Sequence, residues 1–329
     1  MKTILNQLFQ HQTLTREDAR QILMKIANGE YNPSQLAAFL TVFQLRNITL
    51  DELQGFRDAL QELSIRVDLS EFNTIDLCGT GGDQKDTFNI STLASFVVAG
   101  AGEKVVKHGN YGVSSTCGSS NVLEYFGYNF SADASKLKTE IDNAGICFLH
   151  APAFNPAMKN IASIRRELSV KTFFNMLGPM VNPASPKNQL IGVFNLELAR
   201  MYNYIYQQLD INYHIVHSLD GYDEISLTDS TQIQNSFGIS IVSPKELGFN
   251  TVLPEEIKGG KTVEESARVF MDILNGRGSN AQNSVVIANA GVAIKTIYKN
   301  KSFDDCFEIA RRSLLNKQAL RSFNKLLNH

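Results

Sequence analysis

The hydrophobic pattern of the first part of the chain predicts helices only. The capping-box pattern Thr15–Asp18 opens a helix that Gly29 closes, and a second capping box, Thr49–Glu52, opens a helix that runs to about Leu63. Between these helices, apolar residues recur at helical spacing: Leu36, Phe39, Leu40 and Phe43. We therefore predict that residues 1–67 form a small all-helical domain.

From Thr74 onwards, short apolar runs alternate with loops and helical stretches. The strand candidates are Thr74–Cys78, Lys104–Lys107, Ile146–His150 and Tyr213–Leu219. A loop rich in glycine or serine follows each of the first two strands, and a helix follows each loop. Repeated strand–loop–helix units are typical of parallel sheets. We therefore predict the α/β class: a large domain with a mostly parallel sheet flanked by helices, and in addition the small all-helical domain.

The domain boundaries follow from a second helical region in the middle of the chain. The segment from Ile164 to Pro179 reads as helical, and a proline-rich connector follows it up to Pro186. We expect this segment to pack back on the N-terminal helices. The small domain then comprises residues 1–67 with about 160–182, and the large domain comprises residues 72–159 with 183–329.

Composition limits the possible partners. The net charge of −2, from 31 basic and 33 acidic residues, gives no basic excess for nucleic acid. The four cysteines have neither CxxC nor zinc-site spacing, so we expect reduced thiols in a cytoplasmic protein. A signal peptide pattern and an apolar run of membrane-spanning length are both missing. No nucleic acid and no membrane is expected as a partner.

A glycine-rich loop, Gly79–Asp83, follows the first predicted strand. Three glycines in four positions allow a sharp bend and let backbone N–H groups face a ligand. The next helix opens with Ser91 and Thr92, where free N–H groups and the helix dipole favour a phosphate. The loop matches neither the Walker A motif nor the dinucleotide GxGxxG motif. A tight turn before an ordinary helix cap would explain the glycines alone, but Asp83 and Asn89 favour a phosphate site.

The second loop begins with Lys107–Asn110, at the end of the next predicted strand. Lys107 can reach into the crevice at the carboxyl edge of a parallel sheet, and Ser119 or Ser120 begins a helix, another position for an anion. Taken alone, a solvated lysine and two capping serines are the simpler interpretation. Two such loops on neighbouring strands favour one ligand with two phosphate groups. His108 is a candidate functional histidine, although a single histidine is usually structural.

Acidic residues follow the strand candidate Tyr213–Leu219. Asp223 and Glu224 are adjacent, and Mg²⁺ prefers one or two carboxylates together with phosphate oxygens. A solvated acidic turn is the alternative, but two anion-binding loops on the same sheet edge favour a magnesium site. Further upstream, Arg165 can clamp a carboxylate with two hydrogen bonds. The aromatic residues after it are either an apolar slot for a ring or ordinary core.

In order and spacing, these motifs resemble the anthranilate phosphoribosyltransferases over nearly the whole chain. The matching segments are Gly79–Asp83, Asn89–Thr92, Lys107–Asn110, Ser115, Ser119, Arg165, Leu177–Pro179 and Asp223–Glu224. The resemblance implies transfer of the phosphoribosyl group of 5-phosphoribosyl 1-diphosphate to the amine of anthranilate, in tryptophan biosynthesis. It also implies Mg²⁺ as cofactor, these two small molecules as substrates, and a homodimer formed through the helices.

The same resemblance implies roles for individual residues. Phosphoribosyl diphosphate would contact Gly79, Gly82, Asp83, Thr87, Asn89, Ser91, Thr92, Lys107, Ser115 and Ser119. Anthranilate would contact Gly79, Asn110 and Arg165. Magnesium would be held by Ser91, Asp223 and Glu224. The reaction needs no covalent enzyme nucleophile, because the aromatic amine attacks the anomeric carbon directly, and His108 is the nearby candidate for proton handling.

The chain departs from the family pattern near the acceptor. Tyr111 stands where the family usually has arginine, Thr116 where it has a basic residue, and Asn155 where it has histidine; Lys171 replaces arginine, a milder change. One alternative is a pyrimidine nucleoside phosphorylase, which shares single motifs but has no diphosphate for the acidic pair and its metal to bridge. The other is a non-catalytic paralogue that binds nucleic acid, which the net charge and the intact acidic pair disfavour.

Overall fold

A computed structural model describes residues 1–112 and 116–328 of the chain. The helices in chain order are α1 (Lys2–Phe9), α2 (Arg16–Ala27), α3 (Pro33–Leu45), α4 (Leu50–Leu63), α5 (Ile90–Gly100), α6 (Ser119–Tyr125), α7 (Ala134–Ala144), α8 (Ala151–Phe154), α9 (Lys159–Leu168), α10 (Leu196–Tyr206), α11 (Val263–Leu274), α12 (Asn280–Ile297), α13 (Phe303–Leu315) and α14 (Gln318–Leu327). The strands are β1 (Thr74–Gly79), β2 (Lys104–Gly109), β3 (Ile146–His150), β4 (Asn188–Gly192), β5 (Asn212–Ser218), β6 (Thr231–Asn235) and β7 (Gly238–Val242). Short 3₁₀ helices lie at Pro156–Met158, Phe173–Met176, Gly178–Met180 and Pro254–Ile257.

The chain forms two compact units. The helical unit comprises Met1–Arg66 and Ala151–Pro183, and the α/β unit comprises Val67–His150 and Ala184–His329. The second piece of the helical unit therefore begins at Ala151 and not near residue 160, as the sequence suggested. The physical reason is local: α8 follows β3 without a loop, and the N–H of Ile65 donates to the carbonyl oxygen of Phe154 at 2.8 Å.

The core of the helical unit is a cluster of phenylalanine rings. Phe173, from the second piece of chain, stacks on Phe56 with ring centroids 4.3 Å apart, and its edge contacts are with Phe39 and Phe43. The helix start at Thr49 is confirmed, because the Thr49 hydroxyl accepts the N–H of Glu52 while the Glu52 carboxylate accepts the N–H of Thr49. Local caps and a shared aromatic core thus define this unit.

The α/β unit is built on a seven-stranded sheet in the order β3-β2-β1-β4-β5-β6-β7. The pairs from β3 to β5 are parallel, and β6 and β7 add on antiparallel. Helix α12, apolar over most of its length, contacts α5, α13, β4 and β5 and supplies much of the buried core. The fold class predicted from the sequence is confirmed. The chain leaves β1 towards β2 on one side and returns as β4 on the other, so the order reverses between β1 and β4. In open parallel sheets, ligands bind at the carboxyl ends of the strands at such a reversal.

All four cysteines carry free thiols, as expected, and Cys117, Cys147 and Cys306 are buried. Among the residues that the structure describes, no helix is both long enough and apolar enough to cross a membrane.

Candidate active site

The site is centred on two glycines at the carboxyl ends of β1 and β4. Gly79 and Gly192 are register partners, and Asp223 packs against both of them. A Cβ atom at Gly79 would collide with the Asp223 carboxylate, and one at Gly192 would collide with the Asp223 carbonyl group. The absence of two side chains therefore lets the acidic loop lie directly on the strand ends.

Asp223 is held by the glycine-rich loop. Its Oδ2 accepts the N–H of Gly81 at 2.6 Å. Gly81 and Gly82 have φ angles of +62° and +77°, a conformation that glycine adopts at little cost. Burial, reinforced by the negative charge of Asp83, raises the pKa of Asp223 to about 7. A cation at this position would restore the ionised form.

Glu224 faces the start of α5. Its Oε1 accepts the N–H of Ser91 at 2.9 Å, and the Thr87 hydroxyl donates to Oε2 at 3.5 Å. Burial and the adjacent charge of Asp223 hold the pKa of Glu224 well above its usual value. A buried Asp223 beside a half-buried Glu224 is not the solvated acidic turn that the sequence left open. The two carboxylates form an oxygen donor set of the kind that suits Mg²⁺.

Lys107 contacts β1 and the start of α5. It is buried, and its ammonium group donates to the Leu77 carbonyl oxygen at 2.5 Å and to the Ser91 hydroxyl at 3.4 Å. The interpretation of Lys107 as a solvated surface charge is therefore wrong. Its charge lies at the start of α5, where the positive end of the helix dipole also favours an anion.

A hydrogen bond joins the glycine-rich loop to the loop after β2. The side-chain amide of Asn89 donates to the carbonyl oxygen of Cys117 at 2.9 Å. Within the second loop, the Ser120 N–H and the Ser119 hydroxyl both donate to the carbonyl oxygen of Asn110, at 3.1 Å and 3.3 Å. Ser115, also predicted to bind substrate, lies outside the described residues. The predicted residues Asn89, Asn110 and Ser119 thus take part in hydrogen bonds between or within the two loops.

The glycine-rich loop is also tied to the acidic loop by its own side chains. The Asp83 carboxylate accepts the N–H of Lys85 at 3.1 Å, and the Lys85 ammonium group lies 4.7 Å from the ring centroid of Tyr222. Thr92 is buried in the first turn of α5. Gly82, Asp83, Thr87 and Thr92 therefore all lie in the α/β unit with the acidic pair.

Two buried polar residues to which the sequence analysis assigned no role support this site. Asp76 accepts the backbone N–H of His108 at 3.1 Å, and both residues are buried. Asn289, on α12, makes two hydrogen bonds to Ile225, the residue after the acidic pair. Its Oδ1 accepts the N–H of Ile225 at 3.1 Å, and its Nδ2 donates to the Ile225 carbonyl oxygen at 2.9 Å. A charged residue inside an apolar strand was a usable signal for Asp76.

The strand ends, α5 and the acidic loop line a small, open cleft. Its polar lining comes from Ser91, Asp223, Glu224 and Asn289, and Gly79 and Gly192 form its floor. Nearby, Asp76, Cys78 and His108 place possible metal-ligating atoms within 4.8 Å of one another.

Arg165 and Asn155 belong to the helical unit. Arg165 lies in the last turn of α9, with its guanidinium 5.0 Å from the ring centroid of Phe174 and a hydrogen bond of 3.5 Å to Asn175. Burial lowers the pKa of Arg165, but a guanidinium stays charged at neutral pH. The Asn155 side-chain amide donates to the carbonyl oxygen of Ala151 at 3.4 Å.

The fold and the site define a glycosyl transferase. The model of the glycosyl transferase family a/b domain matches residues 71–320, and that of the family's helical bundle domain matches residues 2–64. An anthranilate phosphoribosyltransferase of Flavobacterium johnsoniae is 61% identical over 326 residues, which are 99% of this chain and 98% of that protein. The chain therefore belongs to the anthranilate phosphoribosyltransferases.

Solved structures of the same family have the same fold. The enzyme from Thermus thermophilus has a TM-score of 0.90 at 30% identity, with 98% of both chains covered. The Saccharomyces cerevisiae enzyme, in complex with PRPP and Mg, has a TM-score of 0.90 at 25% identity, with 98% of this chain and 96% of that chain covered.

Proposed function

We propose that this protein transfers the phosphoribosyl group of 5-phosphoribosyl 1-diphosphate to the amine of anthranilate, giving N-(5-phosphoribosyl)anthranilate and diphosphate in tryptophan biosynthesis. The observation that carries the proposal is the meeting of the two predicted anion-binding loops with the adjacent carboxylates of Asp223 and Glu224, beside the ends of β1 and β4. The family of the chain and the PRPP and Mg bound to the yeast enzyme support the same assignment.

The phosphoribosyl diphosphate is assigned to the two loops that the hydrogen bond from Asn89 to Cys117 joins. Its proposed ligands are Gly79, Gly82, Asp83, Thr87, Asn89, Ser91, Thr92, Lys107, Ser115 and Ser119. The start of α5 and the buried ammonium group of Lys107 supply positive charge for the phosphates. This charge has to be local, because the chain as a whole has a net charge of −2.

Ser91, Asp223 and Glu224 are proposed to hold Mg²⁺. The fit rests on the donor set, because Ser91 and the two carboxylates line one cleft with oxygen atoms of the kind that Mg²⁺ prefers. A divalent cation would also compensate the charges that raise the pKa of both carboxyl groups. When bound, the metal would stabilise negative charge on the departing diphosphate.

Anthranilate is assigned to Gly79, Asn110 and Arg165. The guanidinium can pair with the anthranilate carboxylate, and the ring of Phe174 beside it restricts its orientation. In the reaction, the amine lone pair forms the C–N bond at the anomeric carbon while the bond from that carbon to the diphosphate oxygen breaks. The amine then loses a proton, for which His108 is the proposed candidate. Most of the rate enhancement is attributed to positioning and electrostatics.

A homodimer in the cytoplasm is also part of the proposal. Phe9 and Leu45, of α1 and α3, are 60% and 82% exposed, as apolar side chains of a subunit interface would be in an isolated chain. Three buried free thiols suit a reducing compartment.

The decisive test is the loss of anthranilate fluorescence with phosphoribosyl diphosphate and Mg²⁺. We expect metal-dependent turnover by the natural protein and at least a hundredfold lower kcat/KM for the Asp223→Asn/Glu224→Gln variant. A matched control is Glu255→Gln/Glu256→Gln, which neutralises two adjacent but exposed acids of the same unit. Undiminished turnover by the first variant would overturn the metal site. No turnover by the natural protein, despite binding of the diphosphate, would overturn the choice of acceptor.

A further inference from the structure

His150 is a buried histidine beside the second ligand-binding loop. It ends β3, where it is the register partner of Gly109 at the end of β2, and it is 7% exposed. It is not among the residues assigned to either substrate. Its contacts nevertheless connect it to two residues that are assigned to substrates, Asn110 and Ser119.

The first connection is a hydrogen bond through Ser120. His150 Nδ1 lies 2.8 Å from the Ser120 hydroxyl oxygen, and Ser120 is fully buried. The Ser120 N–H donates to the carbonyl oxygen of Asn110, which also accepts the Ser119 hydroxyl. A shift of Ser120 would therefore disturb both proposed ligands at once.

The second connection is aromatic. The imidazole of His150 is stacked on Phe130, with centroids 4.4 Å apart, and the ring of Tyr111 meets it edge-on at 4.9 Å. The Tyr111 N–H donates to Asn110 Oδ1 at 2.8 Å, and its hydroxyl donates to Glu124 on α6 at 3.2 Å. The imidazole thus supports the Tyr111 ring, whose backbone orients the Asn110 side chain.

We propose that His150 is a positioning residue for substrate binding. It contacts the neighbours of both proposed ligands, Tyr111 after Asn110 and Ser120 after Ser119, and so fixes the loop after β2 to the start of α6. This inference rests on the proposed function, which assigns Asn110 and Ser119 to substrates. It also gives the unusual Tyr111 a partner: the position holds an aromatic ring that packs on His150.

The test compares three substitutions of His150. Asparagine carries its amide at the same position along the side chain as Nδ1, glutamine carries it one atom further, and leucine has none. We expect His150→Leu and His150→Gln to raise the Kd for phosphoribosyl diphosphate and the KM for anthranilate about tenfold, with kcat changed less. His150→Asn keeps the hydrogen bond to Ser120 but not the stacked ring, so its values should lie between those of the natural protein and those of the other two variants. Ser120→Ala removes the same hydrogen bond and should raise the same Kd, and the double variant should be no worse than His150→Leu alone.

His214→Leu is the matched control. His214 is also buried in the sheet, on β5, and its Nδ1 bonds to Thr296 at 2.8 Å. Its loss should lower the melting temperature but leave the Kd for phosphoribosyl diphosphate unchanged. If His150→Leu does not fold, the positioning role is still tested by comparing His150→Asn with His150→Gln and by Ser120→Ala.

The two proposals can fail separately. Binding measured by calorimetry needs no acceptor, so weaker diphosphate binding in His150→Gln supports the positioning role even if the natural protein does not turn over anthranilate. Equal Kd values for the asparagine, glutamine and natural proteins would overturn the positioning role while leaving the proposed function intact. Additive effects of Ser120→Ala and His150→Leu would overturn it as well.

Discussion

Ionisable residues are buried in this protein for two different reasons. Asp223 and Glu224 line the cleft, and Lys107 donates to Ser91, which also lines it, so these three charges are placed for a ligand. His214 and Glu52, by contrast, are buried with all their partners inside the protein. The first group is expected to govern activity, and the second group to govern stability.

His214 should make stability depend on pH. Thr296 donates its hydroxyl to Val292, so it accepts from His214 Nδ1–H, and Nε2 then accepts from Asn235. Burial lowers the pKa of His214 from 6.5 to about 4. Between these values the unfolded chain binds the proton and the folded protein does not, so the free energy of unfolding falls as pH falls from 6.5 to 4, by up to roughly 3 kcal/mol.

This prediction is checked by urea unfolding at pH 7 and pH 4.5. The His214→Gln variant, which cannot titrate, should lose that part of the pH dependence. An equal fall of stability in both proteins would show that other groups cause it.

At the residue level, the chemistry of the site was predictable where it is local. The glycines after β1, the residues at the start of α5 and the adjacent acids are each contiguous in sequence, so their spacing carries the signal. Asn289 could not be found this way. It lies in an otherwise apolar helix and bonds to Ile225, 64 positions away in the sequence, a contact that only the folded chain creates.

At the level of elements, helix starts were predictable and several strands were not. Capping boxes join residues three apart, so Thr49–Glu52 is visible in sequence and is present in the structure. Strand β4 was missed although it is fully buried, because it begins with Asn188 and Gln189. The Asn188 amide is satisfied by the Thr74 carbonyl oxygen of β1 at 3.0 Å, and sequence spacing does not reveal such a partner.

The Glu52 side chain, part of the capping box of α4, also bonds to residues outside that helix. This fully buried carboxylate of α4 accepts the N–H of Leu14 at 2.9 Å and pairs with Arg46 at the end of α3. Burial opposes its ionisation, but the bonds from Arg46 and the backbone outweigh burial and lower the pKa of Glu52. We expect Glu52→Ala to lower the free energy of unfolding by about 3 kcal/mol, because it leaves Arg46 without its partner.

The matched control is Glu62→Ala. Glu62 lies in α4, like Glu52, and the substitution removes its exposed ion pair with Arg20 of α2. It should cost less than about 1 kcal/mol. Both are measured by denaturant unfolding, and equal losses would contradict the special role of Glu52.

At the level of the whole molecule, the site is assembled where the strand order reverses. β1, β2 and β4 each end near it, and α12 supplies Asn289 from below the acidic loop. The fold class, once inferred from repeated strand–loop–helix units, already predicts a site at this edge. The antiparallel strands β6 and β7 were not predictable from that repeat, because they continue the sheet without crossover helices.

Asn289 should therefore matter for activity more than for folding. Asn289→Leu removes both bonds to Ile225 and should lower kcat/KM roughly tenfold or more, because the adjacent acidic pair loses its support. Thr296→Val, on the same helix, removes a buried hydroxyl that is remote from the acidic loop. It should lower the melting temperature and leave kcat/KM near the natural value, and a similar loss of activity in both variants would argue against the role of Asn289.

The discontinuous helical unit has a consequence for how the protein is made. Phe39, Phe43 and Phe56 are synthesised early, but the ring that completes their cluster, Phe173, leaves the ribosome only after β1, β2 and β3 have been translated. Until Phe173 is added, part of the aromatic surface of the N-terminal helices stays uncovered. We therefore expect a nascent chain that pauses before residue 173 to expose apolar surface of the kind that chaperones bind.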